Sequence, residues 1–123
     1  MIKEMIIHED TVIVAGCEPI IRSYNLTDGT RKEFWGHRGW VYCLFLHDGR
    51  LFSGGDDNMV RVWNFEKAKQ VDILSSHKNG VTSIVMCNNM IVTASYDHYV
   101  ITWDYNALDR RIWNKKMMRS EDK

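Results

Sequence analysis

Residues 36–64 read GHRGWVYCLFLHDGRLFSGGDDNMVRVWN, and the chain then half-repeats them. His77, Asp97 and Trp103 stand 40 residues after His37, Asp57 and Trp63. In both units the His-to-Trp spacing is 26 and the Asp-to-Trp spacing is 6. Three residue types of unlike chemistry returning at one offset mark an internal repeat. A period near 40, with short strands and Gly/Asp turns inside it, fixes the architecture ahead of any local preference.

Working outward, the unit before this stretch appears on subtracting 39. Tyr24 then aligns with Trp63, Glu18 with Asp57, Gly16 with Gly55 and Ile2 with Val41. Each unit supplies four strand-like runs, expected at 2–7, 11–15, 20–25 and 30–35, then at 41–46, 50–54, 59–64 and 70–75. In the third unit they are expected at 81–86, 90–94, 99–104 and 109–114. The turns between them carry Gly, Asp and Asn, the residues that tolerate a positive φ. In 59–64, Val60 and Val62 face one way while Met59, Arg61 and Trp63 face the other, the pattern of a strand packed on both faces.

With Gly36-His37 and the degenerate Ser76-His77, Asp57 and Asp97, Trp63-Asn64 and Trp103-Asp104, the chain resembles the WD-repeat β-propeller family. The resemblance implies an all-β fold, a propeller segment of about three four-stranded antiparallel blades. They are expected at about 2–35, 41–75 and 81–114 within a segment 1–116, with 117–123 as a charged tail. The first unit departs from the pattern, with Glu18 for Asp, Tyr24 for Trp and no Gly-His before its first strand. Propellers close with about four to eight blades. Three blades are therefore expected to be part of a larger propeller, or a partial ring completed by other chains or by copies of itself.

The bulk numbers exclude some partners. The 123 residues are 45% apolar, and 16 Lys and Arg balance 16 Asp and Glu. That balance gives no reason to expect a nucleic acid or an acidic membrane as partner. Cys17, Cys43 and Cys87 form no close pair and no metal-ligand spacing, which points to a reducing compartment, cytoplasm or nucleus. His8, His47 and His98 share no spacing with carboxylates or thiols, so no metal or cofactor is expected. No apolar run reaches membrane-span length, and MIKEMIIHED is too short and too acidic for a secretory signal.

His37, Ser53, Asp57 and Trp63, with His77, Thr93, Asp97 and Trp103 in the next unit, invite a reading as Ser/His/Asp chemistry. The resemblance implies instead a structural network running Asp to His to hydroxyl to indole. Duplication argues the same way, since a scaffold tie is needed in every blade and a catalytic set is not. In the third unit Ser95, two residues from Thr93, is a rival for the hydroxyl. No catalytic residue is expected, and the chain is not expected to be an enzyme.

The resemblance further implies partner docking on the rim around the central channel. It places there Arg38, Trp40 and Asp56, then Lys78, Gly80 and Tyr96, with Cys17 in the first unit. Trp40 either packs against the neighbouring blade or stands on the rim. Arg22 and Arg61 read as a local strand preference, since the third unit has Ile101 in that place. The expected function is a non-catalytic protein–protein interaction scaffold. The alternative is an architectural subunit whose blade ends are covered within a large multiprotein complex.

Overall fold

The computed structural model describes residues 1–104 and 115–119. They form three four-stranded antiparallel sheets, each strand pairing with the next in sequence. The first sheet contains β1 (Ile2–His8), β2 (Thr11–Gly16), β3 (Glu18–Asn25) and β4 (Arg31–Phe34). The second contains β5 (Val41–His47), β6 (Arg50–Gly55), β7 (Met59–Asn64) and β8 (Lys69–Ser75). The third contains β9 (Val81–Cys87), β10 (Met90–Ser95), β11 (Tyr99–Asp104) and β12 (Lys115–Arg119).

Local chemistry explains the repetition. The first hairpin of blades two and three turns on two residues with positive φ, Asp48 and Gly49 (52° and 74°), then Asn88 and Asn89 (48° and 61°). Paired positive φ values twist a tight hairpin with the hand of its strands. The turn into the third strand is also shared. Asn58 and His98, directly after Asp57 and Asp97, sit at φ 70° and 71°. Each innermost strand bulges at its start, between Ile2 and Glu4, Val41 and Cys43, and Val81 and Ser83. The residues inside these bulges are Lys3, Tyr42 and Thr82.

The core lies between blades. Ile13, Ile21 and Phe34 of the first blade pack with Val41, Leu44, Leu51 and Trp63 of the second. On the opposite face of the second blade, Phe52, Val60, Val62 and Leu74 pack with Val81, Ile84, Ile91, Ile101 and Trp103 of the third. Blade two is thus apolar on both sides because each side meets a neighbour. Trp63 and Phe34 are fully buried and meet edge to face, with centroids 5.7 Å apart. Burial of each such ring contributes roughly 2 kcal/mol or more.

One expectation shifts. The outer strand expected at 109–114 lies outside the described residues. The strand that pairs with β11 is Lys115–Arg119, so Met117, Met118 and Arg119, expected in a charged tail, belong to a sheet. An edge strand buries little and tolerates charge, so hydrophobic patterning does not fix its place.

Candidate functional site

The turn after β6 delivers Asp57, the loop before β5 delivers His37, and β6 and β7 deliver Ser53 and Trp63. The structure brings these four together. His37 Nδ1 lies 3.1 Å from Asp57 Oδ2, and His37 Nε2 lies 2.6 Å from the Ser53 hydroxyl. The Trp63 indole N–H donates to the same hydroxyl at 2.8 Å. The ring therefore carries its proton on Nδ1, and Ser53 bridges, accepting from the indole and donating to Nε2. The third blade repeats the arrangement with His77–Asp97 at 2.9 Å, His77–Thr93 at 2.8 Å and Trp103–Thr93 at 3.1 Å. Thr93 is the bridging hydroxyl there. Ser95 instead donates to the Asn79 carbonyl at 3.1 Å and accepts the Asp97 amide at 3.0 Å.

Each carboxylate also binds backbone. Asp57 accepts the amide of Arg38 at 3.0 Å and that of Met59 at 3.2 Å. Asp97 accepts the amides of Lys78 and Tyr99, both at 2.9 Å. For both aspartates burial pushes the pKa up, and donated hydrogen bonds outweigh it. At Asp57 these come from His37, then from the Arg38 amide and Arg61; the result lies well below the usual carboxylate range. At Asp97 the amides of Lys78 and Tyr99, with His77, have the same net effect.

Arg61 is the member that sequence reading missed. It is 7% exposed, donates to Asp57 Oδ2 at 3.0 Å and reaches Gln70 Oε1 at 2.9 Å. Arg22 stands in the equivalent place in the first blade and pairs with Glu18 and Glu33. The shared position before Tyr24 and Trp63 was the available signal; the partners were not visible in it. With Val14 where Ser53 stands and Tyr24 where Trp63 stands, the first blade has no hydroxyl-to-indole tie. Its outer face carries a cavity of about 240 Å³ lined by Met1, Val14, Glu18, Ile20, Arg22 and Tyr24 among others.

Although its spacing matches a Ser-His-Asp triad, the set in blade two is closed. Ser53 and Thr93 are 0% exposed, and each hydroxyl already holds an indole and an imidazole. No group of His, Cys, Asp and Glu among the described residues is arranged to hold a metal ion. Among the described residues no helix is long and apolar enough to cross a membrane.

Above these ties lies the rim. One backbone bond recurs in all three blades: Cys17 N–H to Met1 carbonyl at 2.9 Å, Asp56 to Trp40 at 2.8 Å, and Tyr96 to Gly80 at 3.0 Å. It pins the residue before each turn to the residue before each inner strand. Gly55 permits the close approach in blade two, since a Cβ there would fall 2.5 Å from the Trp40 carbonyl oxygen. Trp40 is 46% exposed with the Lys3 ammonium 5.7 Å from its ring centroid, and Tyr96 is 61% exposed. Trp40 therefore stands on the rim and not in the core. Arg38, Asp56 and Lys78 are exposed around it. The Tyr42 hydroxyl donates to Asp56 at 3.3 Å, and burial, followed by the Asp56 charge, raises its pKa.

The sequence profile of the WD domain, G-beta repeat family matches residues 29–64 and 68–104. The ribosome biogenesis protein YTM1 of Eremothecium gossypii is 28% identical over 115 residues, covering 81% of this chain and 26% of that protein. The WD repeat-containing protein pop2 of Schizosaccharomyces pombe is 29% identical over 120 residues, covering 84% of this chain and 17% of that protein. The chain thus spans about a quarter or less of the length of these curated relatives. The solved structure of U3-55K superposes with a TM-score of 0.84 at 14% identity, covering 96% of this chain and 39% of that one. The sheets, the matched repeats and the superposition agree, and this chain belongs to the WD domain, G-beta repeat family.

Proposed function

We propose that this chain is a non-catalytic interaction scaffold that docks partner proteins on the rim formed by the loops before β5 and β9 and the turns after β6 and β10. The observation that carries this reading is the exposure of Trp40 and Tyr96 on backbone pinned by the ties beneath. Aromatic side chains presented on rigid backbone lose little entropy on binding and dominate interface energetics. Arg38, Asp56 and Lys78 supply a polar border of both signs. The enclosure of Ser53 and Thr93 supports the non-catalytic part of the reading. The resemblance to YTM1 supports a place in a protein assembly such as those of ribosome biogenesis, and with it a nuclear location.

The test is affinity capture from a fungal lysate, comparing the chain with the double variant Arg38→Glu, Trp40→Ala. Loss of the specifically captured proteins with unchanged thermal unfolding supports rim docking. Unchanged capture rejects it.

An architectural role is favoured by one observation of its own. The outer face of blade one exposes Ile2, Met5 and Ile7, at 62%, 55% and 68%. On that reading other blades, from another chain or a copy of this one, cover this face as blade one covers blade two. Met5→Asp with Ile7→Asp then abolishes assembly while the rim variants leave it intact.

A further inference from the structure

The bulge residues of the first two inner strands reach across to the next blade. Lys3 of blade one places its ammonium over Trp40 of blade two. Tyr42 of blade two meets Tyr96 of blade three with ring centroids 6.1 Å apart and planes at 88°. The counterpart of Trp40 in blade three is Gly80. A Cβ there would lie 3.0 Å from the Tyr42 ring and 3.4 Å from the Tyr96 ring. The missing side chain lets both rings settle against the loop backbone. The two rings meet edge to face and make a right-angled corner on the rim, and the Asp56 carboxylate is held beside it by the Tyr42 hydroxyl.

We propose, building on the rim-docking reading, that the corner of Tyr42 and Tyr96 with Asp56 receives one lysine or arginine side chain of a partner protein. A ring face carries the negative lobe of an aromatic quadrupole, and a cation seated in the angle of an edge-to-face pair lies against the open face of one ring while touching the other. Asp56 adds a full negative charge and a hydrogen-bond acceptor, and a charge-assisted bond to a guanidinium or ammonium is stronger than a neutral one. One blade away the chain already makes such a pairing internally, with Lys3 over Trp40. Arg38 and Lys78, exposed on the same rim, repel further positive charge. The site therefore selects a single cationic residue over a basic run.

The experiment is an NMR titration of the intact chain. The probes are N-acetyl-arginine methylamide and N-acetyl-lysine methylamide, with uncharged N-acetyl-norleucine methylamide as control. Saturable shifts of the Tyr42 and Tyr96 ring resonances are expected with the two cationic probes and not with the norleucine probe. Tyr96→Ala weakens binding by about fivefold, the scale of one exposed cation–π contact, and Tyr96→Phe retains it. Asp56→Asn weakens it further at low salt than at high salt. An equal response to the norleucine probe overturns the proposal, as does unchanged affinity in both Tyr96→Ala and Asp56→Asn. Partner capture by the Arg38→Glu, Trp40→Ala variant is scored separately. Failure of the corner therefore leaves the rim reading standing, and loss of the rim reading leaves the titration interpretable.

Discussion

The Ser53 hydroxyl lies 2.6 Å from Nε2 of His37, and neither side chain reaches water: Ser53 is 0% exposed, and so is the side chain of His37. In a hydrolase that contact activates a nucleophile, and the oxygen must face a substrate. Here its second partner is the Trp63 indole, which fills the space a substrate carbonyl would need. The same two residue types, at the same distance, hold a blade together because of what covers them. A fluorophosphonate probe is expected to leave Ser53 unlabelled in the folded chain, and labelling at Ser53 detected by peptide mass mapping would reverse the non-catalytic reading.

Ser53→Ala removes the bridge between Trp63 and His37 and leaves two buried polar atoms without partners. Stability should fall by about 2 kcal/mol, the scale of an unmet buried hydrogen-bonding group. Urea unfolding followed by tryptophan fluorescence measures it. A loss of less than about 0.5 kcal/mol would show that the hydroxyl is dispensable.

Asp57→Asn should cost more than Asp97→Asn. Both remove an acceptor of a histidine and two amides, but only Asp57 also neutralises a buried guanidinium. Stranding a buried charge costs about 3–5 kcal/mol. Adding Arg61→Met to Asp57→Asn should therefore recover part of the loss. Additive losses in that double-mutant cycle would mean Arg61 and Asp57 are not coupled.

Acid should unfold the blades through these carboxylates. Both have folded-state pKa values depressed below the unfolded value of about 3.9. For a depressed carboxylate the contribution is complete above the unfolded pKa and is lost as pH falls through the folded one. The melting temperature should thus hold from neutral pH to about pH 5 and fall steeply below about pH 4. Asp97→Asn should flatten that fall, and an unchanged slope would remove Asp97 from the account.

Cys43 should resist thiol reagents in the folded chain. Burial pushes its pKa up to about 12, whereas Cys87 is exposed and Cys17 is partly so. Ellman's reagent should titrate two thiols promptly, with the third appearing only on unfolding. Prompt reaction of all three would mean that the packing of Cys43 between blades two and three is loose.

A linear repeat can write only what recurs at a fixed offset. The sequence by itself determined the period, the three units, the strands of the first two blades and the first three of the third, and the residue types of the buried ties. It did so because His37, Asp57 and Trp63 return together 40 residues later. It left Thr93 and Ser95 as rivals, since both are hydroxyls two residues apart on β10, and only the contacts at each level of the strand separate them: His77 and Trp103 at Thr93, Asn79 and Asp97 at Ser95. It gave Arg61 no partner, because Ile101 breaks the repeat there and the bonds to Asp57 and Gln70 exist only once the turn and β8 close around it. It did not place the outer strand at Lys115–Arg119, because an edge strand carries little apolar patterning. The side-chain contacts on the rim were decided by tertiary structure. Lys3 meets Trp40, and Tyr42 meets Tyr96, across blade boundaries at separations of 37 and 54 residues. Such contacts come from the angle at which one sheet is laid against the next, which packing of the shared cores sets.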